Sequence, residues 1–133
     1  MEDIEPPKVK GVAVAIVPEI NEENEQEWSV YLINFQDKQI EGVLVSSEGY
    51  GQIKGEHKKT SLLRHFLGEI EPNTFKKIES IIPDVFAMTN QYWVSYYADK
   101  VLHDKKYIFV SGSIDSLNFS QIPLLNTEGV MIK

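Results

Sequence analysis

The run Val12, Ala13, Val14, Ala15, Ile16, Val17 is apolar at every position and stops at Pro18. Such a run predicts a strand covered on both faces, because six residues are too few to close a stable helix. Asn21 to Glu27 is polar and acidic and reads as a solvated loop. Trp28 to Phe35 and Gln39 to Ser46 are β-branched and aromatic runs parted by Gln36, Asp37 and Lys38, which predicts an antiparallel hairpin. Glycines at 49, 51 and 55 make the next segment a mobile loop. From Ser61 to Ile70, the residues Leu62, Leu63, Phe66, Leu67 and Ile70 fit a helical stripe, while Gly68 and the short length favour a strand. We take the strand as the expectation.

Pro72 to Ile81 predicts a helix. Proline suits a first helical turn, Phe75, Ile78, Ile81 and Ile82 fall on one face, and Pro83 enforces a stop. Val85 to Asp99 and Lys106 to Ile114 follow as the longest strand pair, joined through His103, Asp104 and Lys105. Alternation assigns Met88, Asn90, Tyr92, Val94 and Tyr96 to one face and Gln91, Trp93, Ser95 and Tyr97 to the other. Both faces carry aromatics, so both are expected to be partly covered. The final segment from Ser120 has a proline, a glycine turn and a short apolar end that can add an edge strand. The resulting expectation is an α+β fold: a mainly antiparallel sheet, curved or folded into a sandwich, with one packed helix at about residues 72–81.

A length of 133 residues with 42% apolar and 25% charged content is that of one ordinary globular domain. It is expected to span residues 9–133, after a flexible acidic tail over 1–8. The absence of cysteine excludes disulfide scaffolds, thiolate zinc sites, iron–sulfur clusters and cysteine nucleophiles. The acidic, proline-containing start lacks the basic flank and apolar run of a secretory signal, and no segment reaches the roughly 20 apolar residues that span a bilayer. A cytoplasmic protein without membrane contact is the expectation.

Seven residue blocks, VAVAIV (12–17), EWSVYLIN (27–34), IEGVLVSSEGY (40–50), KTSLLRH (59–65), TNQYWVSYYAD (89–99), KKYIF (105–109) and IPLLNTEGVMIK (122–133), resemble a family of short uncharacterised bacterial proteins. Some members of that family carry the label of a phenylalanyl-tRNA synthetase subunit. A class II synthetase needs an arginine-bearing ATP site on a much larger domain, so the resemblance implies one intact small domain and no catalytic residues.

Net charge is -7, and it is unevenly spread. Residues 1–27 hold eight acids against Lys8 and Lys10, or -6, whereas Lys54 to His65 holds four bases against Glu56, or +3. The acidic total disfavours nucleic acid, whose non-specific binding depends on many cations displacing counterions from phosphate. The basic segment is the one place a small anion would be drawn, with Lys58, Lys59, Thr60, Ser61, Arg64 and His65 as candidate ligands. Neither a P-loop nor a dinucleotide fingerprint is present around Gly49 and Gly51, since the glycine and lysine spacing fails both. His57, His65 and His103, with Asp104, match no metal-ligand spacing, so no metal and no cofactor are expected. Tyr92, Trp93, Tyr96 and Tyr97 place four aromatics within six residues, suited either to a core or to an interface. The leading expectation is a non-enzymatic binding or assembly module, a homodimer or a partner-bound protein. The alternative is an anion-recognising protein, or an enzyme acting on a phosphorylated or carboxylated small molecule through Lys58 to His65.

Overall fold

The computed structural model describes residues 7–133 and is built almost wholly of antiparallel strands. In chain order they are β1 (Val12–Ile20), β2 (Gln26–Asn34), β3 (Ile40–Ile53), β4 (Glu56–Lys59), β5 (Leu63–Ile70), β6 (Thr74–Ile81), β7 (Thr89–Ala98), β8 (Val101–Phe109), β9 (Ser120–Ile122) and β10 (Thr127–Ile132). The first sheet has the order β6-β2-β1-β10-β9. The second has β4-β3-β7-β8, with β5 following β4 along the same edge of β3. Val12, Val14, Ile16, Val30, Leu32 and Ile78 of the first sheet meet Val43, Val45, Tyr92, Val94, Tyr96, Tyr107 and Phe109 of the second in one core. Tyr107 crosses that core, its hydroxyl donating to the Val12 carbonyl at 2.7 Å.

The expected α+β class is therefore corrected, because residues 72–81 form no helix. Pro72 lies in the turn before β6, which pairs with β2 from Trp28↔Ile81 to Asn34↔Thr74, and Pro83 opens a short 3-10 turn, Pro83–Ala87. The misleading feature is a bulge. Val30 faces Glu79 and Tyr31 faces Lys77, so Ile78 is an extra residue that breaks the alternation of the strand. The resulting spacing of Phe75, Ile78 and Ile81 imitates a helix turn, while the open edge of β2 supplies the backbone partners that decide for a strand.

Three further expectations change. Residues 28–46 do not form a hairpin: β2 and β3 lie in different sheets, and the chain crosses between them at residues 35–39. Asn34, fully buried, holds this crossing, its Nδ2 donating to the carbonyls of Lys38, Ile70 and Glu71, so the β5-to-β6 crossing is fastened to it. The glycine-rich segment 49–55 is not a loop, because β3 runs through it to a two-residue turn, Lys54-Gly55, with φ of 53° and 80°. The β7–β8 turn falls at Asp99-Lys100, φ 51° and 64°, which places His103, Asp104 and Lys105 within β8. The strand expected over 61–70 is present as β5. The expected alternation of β7 holds on its inner side, where Met88, Asn90, Tyr92, Val94 and Tyr96 are all buried. Of the tail expected over 1–8, residues 1–6 lie outside the described residues, and Val9 packs against the core.

The two outer sheet faces differ. On the first sheet, Ile122, Leu124 and Leu125 from the β9–β10 region fold over Ala15, Val17, Ile33 and Tyr31, so β1 is buried on both sides as its apolar run predicts. Among the described residues nothing covers the outer face of the second sheet in this way. Trp93 and Tyr97 there are 44% and 48% exposed.

Burial also dictates an alkaline response. It raises the hydroxyl pKa of Tyr31 to about 12, aided by the Glu19 carboxylate, and it raises those of Tyr92, Tyr96 and Tyr107 above the ordinary 10.0. The folded chain thus keeps protons that the unfolded chain releases, so this stabilising contribution is intact below the ordinary 10.0 and declines as pH rises beyond it. The phenolate signals of these four tyrosines, followed residue by residue in NMR spectra, are expected to appear together with loss of near-UV circular dichroism. Ionisation of these four tyrosines at the ordinary value in a folded protein would contradict this.

Candidate functional site

The bulge in β6 sets up the most concentrated polar cluster. With Ile78 unpaired, Ile78 and Glu79 both turn inward: Ile78 enters the core, and Glu79 reaches across to the second sheet. Its Oε1 accepts from Ser47 Oγ on β3 at 3.0 Å and from His65 Nε2 on β5 at 2.9 Å, and its Oε2 accepts from Tyr92 Oη on β7 at 2.9 Å. One carboxylate of the first sheet, its side chain 13% exposed, thereby ties three strands of the second. Since a carboxylate in this position accepts, the proton on His65 sits at Nε2. Burial first, and the Glu79 charge and hydrogen bond next, push the Tyr92 hydroxyl pKa up, which keeps it a donor.

β5 and β6 run close together near Leu67, whose carbonyl accepts from Lys76 Nζ at 2.9 Å. Towards Leu63 and Ile81 a cleft of about 250 Å³ lies between them, with Ser47, Gly49, Thr60, Glu79, Asn90 and Tyr92 among its lining. Leu63, Ile81, Ile82 and Val85 supply its apolar walls. The 3-10 turn passes beside it, and Phe86 of that turn packs edge-on against Trp28 with ring centroids 4.8 Å apart, closing this end of the core.

The basic segment divides. Thr60 and Ser61 line the cleft and His65 holds Glu79, but the bases expected to grip an anion do not join them. Lys58 is paired with Glu56 at 3.0 Å and Lys59 with Glu48 at 3.7 Å, both lysines being exposed on β4. Arg64 is exposed and points away from its inward neighbour His65. The four aromatics divide as well: Tyr92 and Tyr96 are core residues at 1% exposure each, while Trp93 and Tyr97 stand on the outer face. The three histidines occupy separate strands, His57 exposed on β4, His65 on β5, and His103 on β8 stacked on Tyr96 at 5.2 Å. Among the described residues no helix is long and apolar enough to cross a membrane.

Glu79, Ser47 and Asn90 were not among the residues singled out from sequence. Glu79 was hidden by the assignment of its segment to a helix. Asn90 did leave a signal, as the one amide on the inward face of β7.

Lys106 Nζ lies 4.7 Å above the Trp93 ring on the outer face. Register places Arg64, Ser46, Trp93 and Lys106 in one row across β5, β3, β7 and β8, with Phe66, Leu44, Ser95 and Asp104 in the next. Tyr97 and Leu102 continue the surface. No protein-family model, curated protein or solved structure matches this chain.

Proposed function

We propose that the protein is a non-enzymatic assembly module that forms a homodimer through the outer face of its second sheet. The observation that carries this reading is the asymmetry of cover. The chain covers the β1 and β2 part of one outer face with its own Ile122, Leu124 and Leu125, with Phe75 partly exposed at the β6 edge, and leaves Phe66, Trp93, Tyr97, Leu102 and Ile108 exposed on the other. Large aromatics in a connected apolar patch are the usual material of contact hot spots.

Charge favours a second copy as the occupant. The whole chain is at -7, so two copies repel over most of their surface. On this face Lys59, Arg64 and Lys106 balance Glu41, Glu48 and Asp104, which gives the copies a locally neutral surface of mixed sign on which to meet. The β8 edge is a poorer route, since Lys105 turns inward from it and its Nζ donates to the Lys133 carbonyl at 2.8 Å. An inward charge of this kind blocks strand addition.

Sedimentation velocity over a wide concentration range tests the proposal. The wild type is expected to sediment as a dimer and Trp93→Glu as a monomer with an unchanged far-UV spectrum, because the side chain is substantially exposed. A wild type that remains monomeric at every concentration overturns the reading, and so does a dimer that Trp93→Glu leaves intact.

A further inference from the structure

We propose that the cleft beside Glu79 is a binding site for a small protonated amine carried on a compact apolar body. The inference rests on which hydrogen-bonding groups are already used. A carboxylate offers about four lone-pair positions. Ser47 and His65 occupy two on Oε1 and Tyr92 occupies one on Oε2, which leaves one acceptor position at a group lining the cleft.

Asn90 is the second and independent observation. It is 5% exposed, and its Nδ2 protons are directed to the carbonyls of Val85 at 2.8 Å and Met88 at 3.2 Å. Among the described residues its Oδ1 accepts from no donor. That oxygen stands 3.1 Å from where a Cβ of Gly49 would lie, so the missing side chain at Gly49 keeps the acceptor clear. An amide oxygen that opens onto a cavity can accept from a donor placed there.

Glu79 and Asn90 thus both turn acceptors to the cleft, beside the Ser61 hydroxyl, which can donate or accept, and its charged lining residues, Glu48 and Glu79, are both acids. Glu48 is paired with Lys59 at 3.7 Å, and Glu79, which His65 holds at 2.9 Å, is the acid whose remaining lone pair the cleft presents. An ammonium group brings up to three N–H donors and one positive charge to this arrangement, and Ile81, Ile82 and Val85 would cover an aliphatic body. Among the described residues an anion meets no free cation there. At about 250 Å³ the space lies just below the usual range of roughly 300–1,000 Å³ for small-molecule sites, which points to a ligand of a few carbons.

The test uses three probes of nearly the same shape, isoamylamine, isoamyl alcohol and isocaproate, titrated into the full isotope-labelled chain while amide spectra are recorded. The amine is expected to give saturable shifts at Ser47, Gly49 and Asn90 and to bind about tenfold more tightly than the alcohol. Glu79→Gln is expected to abolish that preference. The comparison of probes on the wild type stands whether or not the variant folds. Saturable binding of isocaproate equal to or tighter than that of the amine overturns the proposal, as does an amine response that never saturates or that maps elsewhere. Dimer formation is measured separately, so failure here and failure of the assembly reading are distinguishable.

Discussion

Replacing Glu79 by alanine is expected to remove about 3 kcal/mol of stability, a large part of the roughly 5–15 kcal/mol that holds a domain of this kind folded. The loss arises from the partners left behind rather than from the carboxylate itself. Tyr92 is 1% exposed and Ser47 4%, and both hydroxyls are committed to Glu79, so only water entering the cleft could replace it, and each buried donor without an acceptor costs about 1–3 kcal/mol. His65, with a quarter of its side chain exposed, can find water. Glu79→Gln keeps one acceptor oxygen and should fall between wild type and alanine. Urea unfolding with intrinsic fluorescence measures the difference. An unchanged midpoint for the alanine variant would mean that the three hydrogen bonds do not couple the sheets.

A comparable loss is expected from the smallest possible substitution elsewhere, Gly129→Ala. A Cβ at residue 129 would lie 2.5 Å from the Ile16 carbonyl oxygen and 2.6 Å from Val17 Cγ1, distances that real side chains do not show. The first of these neighbours is backbone, so relief requires β10 to move off β1 rather than a side chain to swing aside. Overpacking costs about 1–3 kcal/mol even where side chains can adjust, and the rigid partner here puts the cost near the top of that range. The melting temperature should fall by roughly 10 °C. A variant that melts with the wild type would show that β10 is held far more loosely against β1 than their shared register implies.

These two sites show how unevenly the fold was legible. Val12 to Val17 announced a doubly covered strand because both of its faces meet apolar partners, and the period of two in Met88 to Tyr97 survived because β7 is regular. Residues 72–81 misled for the opposite reason. A single unpaired residue, Ile78, shifts the phase of the pattern, and a bulge carries no composition of its own. The hairpin expected across Gln36 to Lys38 failed on a related point, since a short polar link fits a crossing between sheets as well as a turn within one. What distinguishes them is Asn34, whose partners Ile70 and Glu71 are remote in sequence. The site was obscured for the same reason: Ser47, His65, Glu79 and Tyr92 come from four strands, and only the closed sandwich makes them neighbours.

The pairing of β1 with β10 has a consequence for how the protein is made. A chain leaves the ribosome from its N-terminal side, and Val12 to Val17 emerges before both of its strand partners as a six-residue apolar segment of high β-propensity, the kind that seeds aggregates. β2 soon covers one of its edges, but the other waits until Thr127–Ile132 has been synthesised. Between the synthesis of β2 and that of β10, then, the nascent chain carries an open, sticky strand edge. Slower elongation prolongs that exposure, and the yield of native protein in a cell rests on how well the edge is shielded until β10 arrives.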